Sequence, residues 1–155
     1  MLADRGTTFR NAFVSLSLCC PSRTSILRGQ YAHNTTIFRL DPPNGGFADV
    51  YARGLEQSTM ATWLQAAGYR TILLGKYLNG YGTTEIGPTY VPPGWNEWYA
   101  GVSDQAYKQF DYDLNENGQV VHYGSNDEDY LQDVLRDHAL DFLARRASGE
   151  DRQPF

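Results

Sequence analysis

The reactive side chains of this sequence gather in one run, Cys19-Cys20-Pro21-Ser22-Arg23. Pro21 suits the first residue of a helix, because its ring fixes φ and its missing N–H has no partner there in any case, and Gly29 suits the stop. A thiol just ahead of such a start faces unpaired backbone N–H groups that favour negative charge. Cys19 is therefore a candidate nucleophile at the mouth of an anion pocket. Arg23, on the first turn, adds a fixed cation whose fork of donors fits an oxyanion, while Ser22 reads as a hydrogen bonder at the helix start. The alternative is a buried structural pair of thiols. Adjacent cysteines are too cramped for an ordinary disulfide, two are too few for a zinc site of Cys type, and the C-x-x-C spacing of a thioredoxin-like redox centre is absent. Lys76 is the second candidate: it closes an apolar strand, and open α/β sheets bind ligands at the C-terminal ends of their strands.

The elements that must position these groups follow from the pattern around them. Residues 1–6 read as the last turn of a helix closed by Gly6, and residues 7–14 as a β-prone strand. After the turn-rich Asp41-Pro42-Pro43-Asn44-Gly45-Gly46, Ser58 or Thr59 caps a helix carrying Met60, Trp63, Leu64 and Ala67 on one face, and Gly68 ends it. Residues 69–74 form a short apolar strand of the kind buried in a parallel sheet. Strand, helix, helix, strand in this order argue for an α/β sheet with helices on its faces. Residues 79–105, rich in Gly, Pro, Tyr and Trp, read as a long aromatic-packed surface loop. Asn117-Gly118 marks a hairpin between residues 112–114 and 120–123. Ser125 and Glu128 have capping-box spacing ahead of a helix that puts Leu131, Val134, Leu135, His138 and Phe142 on one face. The sequence then reaches Gln153-Pro154-Phe155 where a further strand is expected to begin.

The 155 residues carry 13 basic and 18 acidic side chains, a net charge of −5, with 41% apolar and 14% aromatic residues, a composition of folded rather than disordered chains. Residues 1–76 hold eight basic and four acidic side chains, and residues 77–155 hold five and fourteen. The basic half suits a small anionic ligand. No cluster of Lys and Arg interleaved with aromatics suggests nucleic acid, no apolar run approaches the roughly 18 residues that span a bilayer, and no signal-peptide pattern opens the sequence.

Cys19-x-Pro21-Ser22-Arg23, followed by Leu27 and Gly29, resembles the signature of the type I sulfatases, C-x-P-S-R-x-x-x-L-x-G. Residues 68–76, ending in Gly75-Lys76, resemble that family's second signature. Residues 75–79, Val91-Pro92-Pro93-Gly94-Trp95 and the hairpin are similar to the N-acetylglucosamine-6-sulfatase and heparan endosulfatase branch. The resemblance implies part of an alkaline-phosphatase-like sulfatase fold, a mixed or parallel sheet flanked by helices, with residues 1–155 lying in the N-terminal catalytic domain. It implies a hydrolase of sulfated sugars or related sulfate esters, in which Cys19 is oxidised by the formylglycine-generating enzyme. One hydroxyl of the hydrated aldehyde then attacks sulfur, and the other expels sulfate, completing covalent catalysis. Pro21 and Arg23 resemble residues that the maturation enzyme reads; Arg23 would also hold the nucleophile, and Lys76 would neutralise a sulfate oxygen.

The same resemblance implies a divalent cation, usually Ca²⁺, bound by position 19 as formylglycine and by oxygen ligands. An Asp-Asp pair among those ligands is expected upstream of Leu2. The other ligands, a second lysine and later histidines are expected beyond position 155. Asp111 and Asp113, or Asp127 and Asp129, imitate a ligand pair but fall at a hairpin and a helix start, where solvated or capping acids are the norm. Leu78 stands where many sulfatases carry a histidine, so the proton shuttle assigned there is absent or supplied elsewhere. His33 is a candidate substrate contact or a structural histidine, His138 a packed residue and His122 solvent-facing. Asn34-Thr35-Thr36 is a glycosylation sequon that matters only in an exported eukaryotic chain. The parents implied are often exported. A remnant that binds sulfate or glycan without turnover is the alternative function.

Overall fold

Gly29 sets the end of the helix that carries the motif, and Pro21 falls inside its first turn rather than at its start. In the computed structural model, which describes residues 2–83, 85–148 and 153–155, helix α2 runs Cys19–Arg28 after a short α1 at Leu2–Arg5. It begins two residues before Pro21, since the first intrahelical bond is donated by the Ser22 amide to the Leu18 carbonyl at 2.9 Å. An N–H at position 21 would have no helical partner, so the proline is tolerated inside the first turn. Gly29 closes the helix in the left-handed region, φ 61°, with its N–H on the Ser25 carbonyl. Helices α3 (Ala32–Thr35) and α4 (Gly46–Ala52) follow.

Thr59 caps α5 (Met60–Ala66) through a reciprocal box with Thr62. The buried residue of that helix is Ala61, whereas Met60, Trp63 and Leu64 are 37–49% exposed, which reverses the face expected from the sequence. Ala61 and Thr62 are where the backbone of Gly94 rests. A Cβ on Gly94 would come within 2.4 Å of the Thr62 nitrogen, so α5 turns its small side toward that loop.

Four strands form one mixed sheet in the order β1 (Ile72–Gly75), β2 (Glu97–Gly101), β3 (Tyr112–Glu116) and β4 (Gln119–Tyr123). β1 and β2 are parallel, with Ile72 opposite Glu97 and Gly75 opposite Ala100; the other pairs are antiparallel. Asn117 and Gly118 both take positive φ in the β3–β4 turn, as the hairpin signal requires. Two expectations are corrected. Residues 7–14 form no strand: Phe9, Phe13 and Val14 are 69–91% exposed, and β-prone residues without a partner ladder stay irregular. β2 lies inside the segment expected to be loop, and its Trp98 and Ala100 are fully buried.

Each face of the sheet has its own core. On one, Phe47, Tyr77, Tyr81 and Trp98 pack edge to face with Cys20, Ile37 and Leu78. On the other, helix α6 (Leu131–Ala147) sets Leu131 and Val134 against Tyr112 and Leu114. His138 stacks on Tyr99 with ring centroids 4.0 Å apart and lies 3.3 Å from the Glu116 carboxylate, the packed position expected of it. The capping box ahead of α6 pairs Asn126 with Asp129, one residue later than Ser125 and Glu128. No helix is long and apolar enough to cross a membrane among the described residues.

Candidate active site

The two cysteines part at the start of α2. Its N-cap, Leu18, supplies no side-chain hydrogen bond, so the leading end of the helix is open where Cys19 stands exposed. Ser22 therefore does not cap the helix; it lines the open side. Cys20 turns inward and is fully buried. Burial pushes its thiol pKa up, against the smaller opposing influence of backbone groups of Gly46 and Asn79, so it is held as an inert packed thiol. Pro21 is also buried, and Thr24 seals the next turn.

One helical turn on, Arg23 donates from Nη1 to the main-chain carbonyl of Lys76 at 2.8 Å. That bond ties α2 to the end of β1. Lys76 leaves the sheet just after Gly75, and its neighbours fix it there. Tyr77 donates to the buried Glu56 carboxyl at 2.7 Å, and Leu78 is sunk in the core at 2% exposure. The Lys76 ammonium extends over the Tyr107 ring, 4.1 Å from its centroid, and donates to the Tyr107 hydroxyl. The same hydroxyl lies 3.8 Å from Cys19 Sγ. Among the described residues, neither Arg23 nor Lys76 is paired with a carboxylate.

An open depression of about 450 Å³, lined by Ser17, Leu18, Cys19, Ser22, Arg23 and Ile26, adjoins a smaller one of about 140 Å³ that Arg23 shares with Lys76. Two cations without counter-ions beside an exposed residue at a helix start can hold a tetrahedral oxyanion and balance charge that develops on it. The structure thus brings Cys19, Arg23 and Lys76 together. It does not bring His33 to them: that ring stacks on Tyr31 at 5.8 Å and lines a separate depression with Ser15, Leu16 and Phe38.

No group of three or more His, Cys, Asp or Glu side chains placed to hold a metal occurs among the described residues. The donors around Cys19 are cationic, so these residues do not by themselves fit the calcium site that the sequence implies. Asp111 and Asp113 attend Lys108 and His122, and Asp129 serves the capping box, in keeping with structural roles for both acidic pairs. His122, 62% exposed, sets Nδ1 2.8 Å from Asp113.

Sequence reasoning missed Tyr107. It lies 88 residues from Cys19, and no local spacing signals it. The parallel pairing of β1 with β2 is what aligns the two strand ends and brings the turn after β2 beside Lys76.

The chain matches the family model for sulfatases over residues 1–155. It is 37% identical to human N-acetylglucosamine-6-sulfatase over 153 residues, covering 97% of this chain and 27% of that protein. It is 35% identical to a putative extracellular sulfatase Sulf-1 homolog of Caenorhabditis elegans, covering 100% and 21%. The chain thus spans about a quarter of the length of these relatives. The solved structure of BT4656 in complex with its substrate D-glucosamine-2-N,6-O-disulfate superposes with a TM-score of 0.63 at 26% identity, over 95% of this chain and 25% of that one. The crystal structure of Ps i-CgsB, at 22% identity and a TM-score of 0.67, shares the fold. The expected architecture, part of an alkaline-phosphatase-like sulfatase fold with a mixed sheet flanked by helices, is borne out.

Proposed function

The chain belongs to the sulfatase family, and from that premise we propose that it contributes the nucleophile and the sulfate-binding cations of an enzyme that hydrolyses sulfate esters of sugars. The observation that carries this is the placement of Arg23 and Lys76, neither of them paired with a carboxylate among the described residues, beside the exposed residue 19. Oxidised to formylglycine, position 19 would supply a hydrated aldehyde, one hydroxyl of which attacks sulfur and displaces the sugar alcohol; the other then loses its proton and expels sulfate, re-forming the aldehyde. In the folded chain Cys19 is an exposed free thiol, placed to act on a substrate, whereas the free thiol of Cys20 is buried. Lys76 draws in a sulfate oxygen and balances its charge, whereas Arg23 holds residue 19 and the end of β1 in one frame. His33 is given no step.

Pro21 is buried and Arg23 is bound to Lys76. The formylglycine-generating enzyme would therefore read its motif before the chain folds. A sulfated glucosamine is the favoured substrate, supported by the relative named N-acetylglucosamine-6-sulfatase and by the glucosamine disulfate in BT4656. Export of the protein is supported by the extracellular Sulf-1 homolog. The described residues do not form a calcium cage by themselves.

A second reading, sulfate or glycan binding without turnover by the 155 residues alone, is favoured by that same lack of a carboxylate cluster among the described residues. Hydrolysis of a chromogenic sulfate ester, with and without added Ca²⁺, separates the two. Turnover that disappears in Lys76→Ala supports the hydrolase. Sulfate binding without turnover by a chain carrying formylglycine supports the second reading.

A further inference from the structure

Tyr107 stands in the site without a role. It closes a single 3₁₀ turn, Gln105–Tyr107, directly after β2, and its side chain is 61% exposed, so core packing does not explain where it points. The turn beneath it is well held. The Gln105 side chain accepts from the Asp113 amide at 2.9 Å and donates to its carboxylate at 3.2 Å, and the Ser103 amide donates to the Tyr81 carbonyl at 2.8 Å. Gly101 lets Ala106 approach so closely that a Cβ there would sit 2.7 Å from the Ala106 methyl. Three separate contacts thus deliver one phenol to the strand end where Lys76 emerges.

The hydrogen-bond directions are fixed by chemistry. An ammonium has donors only, so Lys76 donates and Tyr107 accepts, which leaves the single phenolic O–H free to point onward. Cys19 Sγ lies within its reach at 3.8 Å. A hydroxyl already accepting from a cation is polarised into a stronger donor. Leu78, the position at which an imidazole would be expected, lies in the core at 2% exposure and supplies nothing to the site.

We propose that Tyr107 is a further residue of the active site: its hydroxyl, held by Lys76, hydrogen-bonds the reacting atom of residue 19 and sets the nucleophile in register with the sulfate-binding cation. This role rests on the sulfatase assignment above, but its test does not. In the chain carrying unmodified Cys19, alkylation by iodoacetamide is followed by mass spectrometry of the residue-19 peptide, with buried Cys20 as the unreactive internal reference. Tyr107→Phe keeps the ring over Lys76 and removes only the hydroxyl. It is expected to slow alkylation of Cys19 at neutral pH by about threefold or more, the worth of one hydrogen bond, and to displace the rate–pH profile toward alkaline pH, with an unchanged circular dichroism spectrum. Lys76→Met should lose a similar factor, and the double variant should lose little beyond it, because the two side chains act as a unit. Wild-type rates and profile in Tyr107→Phe overturn the proposal, as does a full additive loss in the double variant. If Tyr107 governs Cys19 while the formylglycine-bearing chain turns over no sulfate ester, the hydrolase reading fails and the Tyr107 contact stands. Turnover with Tyr107→Phe indistinguishable from wild type overturns the Tyr107 role alone.

Discussion

Cys19 and Cys20 are neighbours in sequence and opposites in environment, one exposed at an open helix end and the other at 0% exposure among aromatic rings. Both lie in the first turn of α2, where successive residues point about 100° apart, so one faces outward and the other the core. Arg23 and Lys76 were legible from their places in the pattern, one on the first turn of a helix and the other at the C-terminal end of an apolar strand. Glu56 was not. It is buried at 2% exposure between the hydroxyls of Tyr77 and Tyr90, and nothing in Leu55-Glu56-Gln57 distinguishes it from a solvated acid. Burial raises its pKa despite the two phenol donors, and the same burial raises that of Tyr77. The folded chain therefore holds this proton more tightly than the unfolded one. The stabilisation is fully present below the unfolded carboxyl value of about 4.3 and is lost as pH rises through the raised folded value. Urea unfolding of Glu56→Gln across that window should show a flatter dependence of stability on pH than the wild type; an identical pH slope would mean that Glu56 is not the titrating group.

At the scale of elements, β1 and β2 do most to build the site, and only one of them was readable. Residues 72–75 announce themselves as an apolar run. Residues 97–101 do not, because Trp98 and Tyr99 sit among prolines, glycines and other aromatics that mask a strand as loop. Residues 7–14 gave the opposite error: a strand needs a neighbour's ladder, and sequence reports only local preference. The crossover from β1 to β2 is shaped by rings, Trp98 Nε1 donating to Tyr81 at 2.8 Å and Asn115 donating to the same hydroxyl at 2.7 Å. Its last turn rests on α5 at Gly94, which has φ 93° and no room for a side chain. Gly94→Ala should cost about 2 kcal/mol from the left-handed backbone alone, before the clash with Thr62 is counted. For a domain of this size that lowers Tm by roughly 4 °C or more. An unchanged thermal midpoint would show that the crossover is not seated on α5.

Over the whole molecule, the charge split and the proposed site fall on the same line. The half with eight basic and four acidic residues contains Cys19, Arg23 and Lys76. In the acidic half, many carboxylates are spent in pairs: Arg145 grips Glu97 through two hydrogen bonds of 2.8 and 2.7 Å and takes Asp141 at 2.9 Å, which holds α6 to the edge of β2. Those bonds from Arg145 keep the Glu97 pKa below its ordinary value, so the clasp persists at neutral pH. The acids thus brace the α6 side of the sheet, away from Arg23 and Lys76 at the ends of α2 and β1. Sequence conveyed the charge split but not this arrangement, because the partners are far apart in the chain. The proposed function turns on the chemical state of residue 19. Mass spectrometry of the peptide containing Cys19, from chain made in a host that forms formylglycine, tests it most directly. An aldehyde at residue 19 with an intact thiol at Cys20 is the predicted result; an unmodified thiol at Cys19 would contradict it.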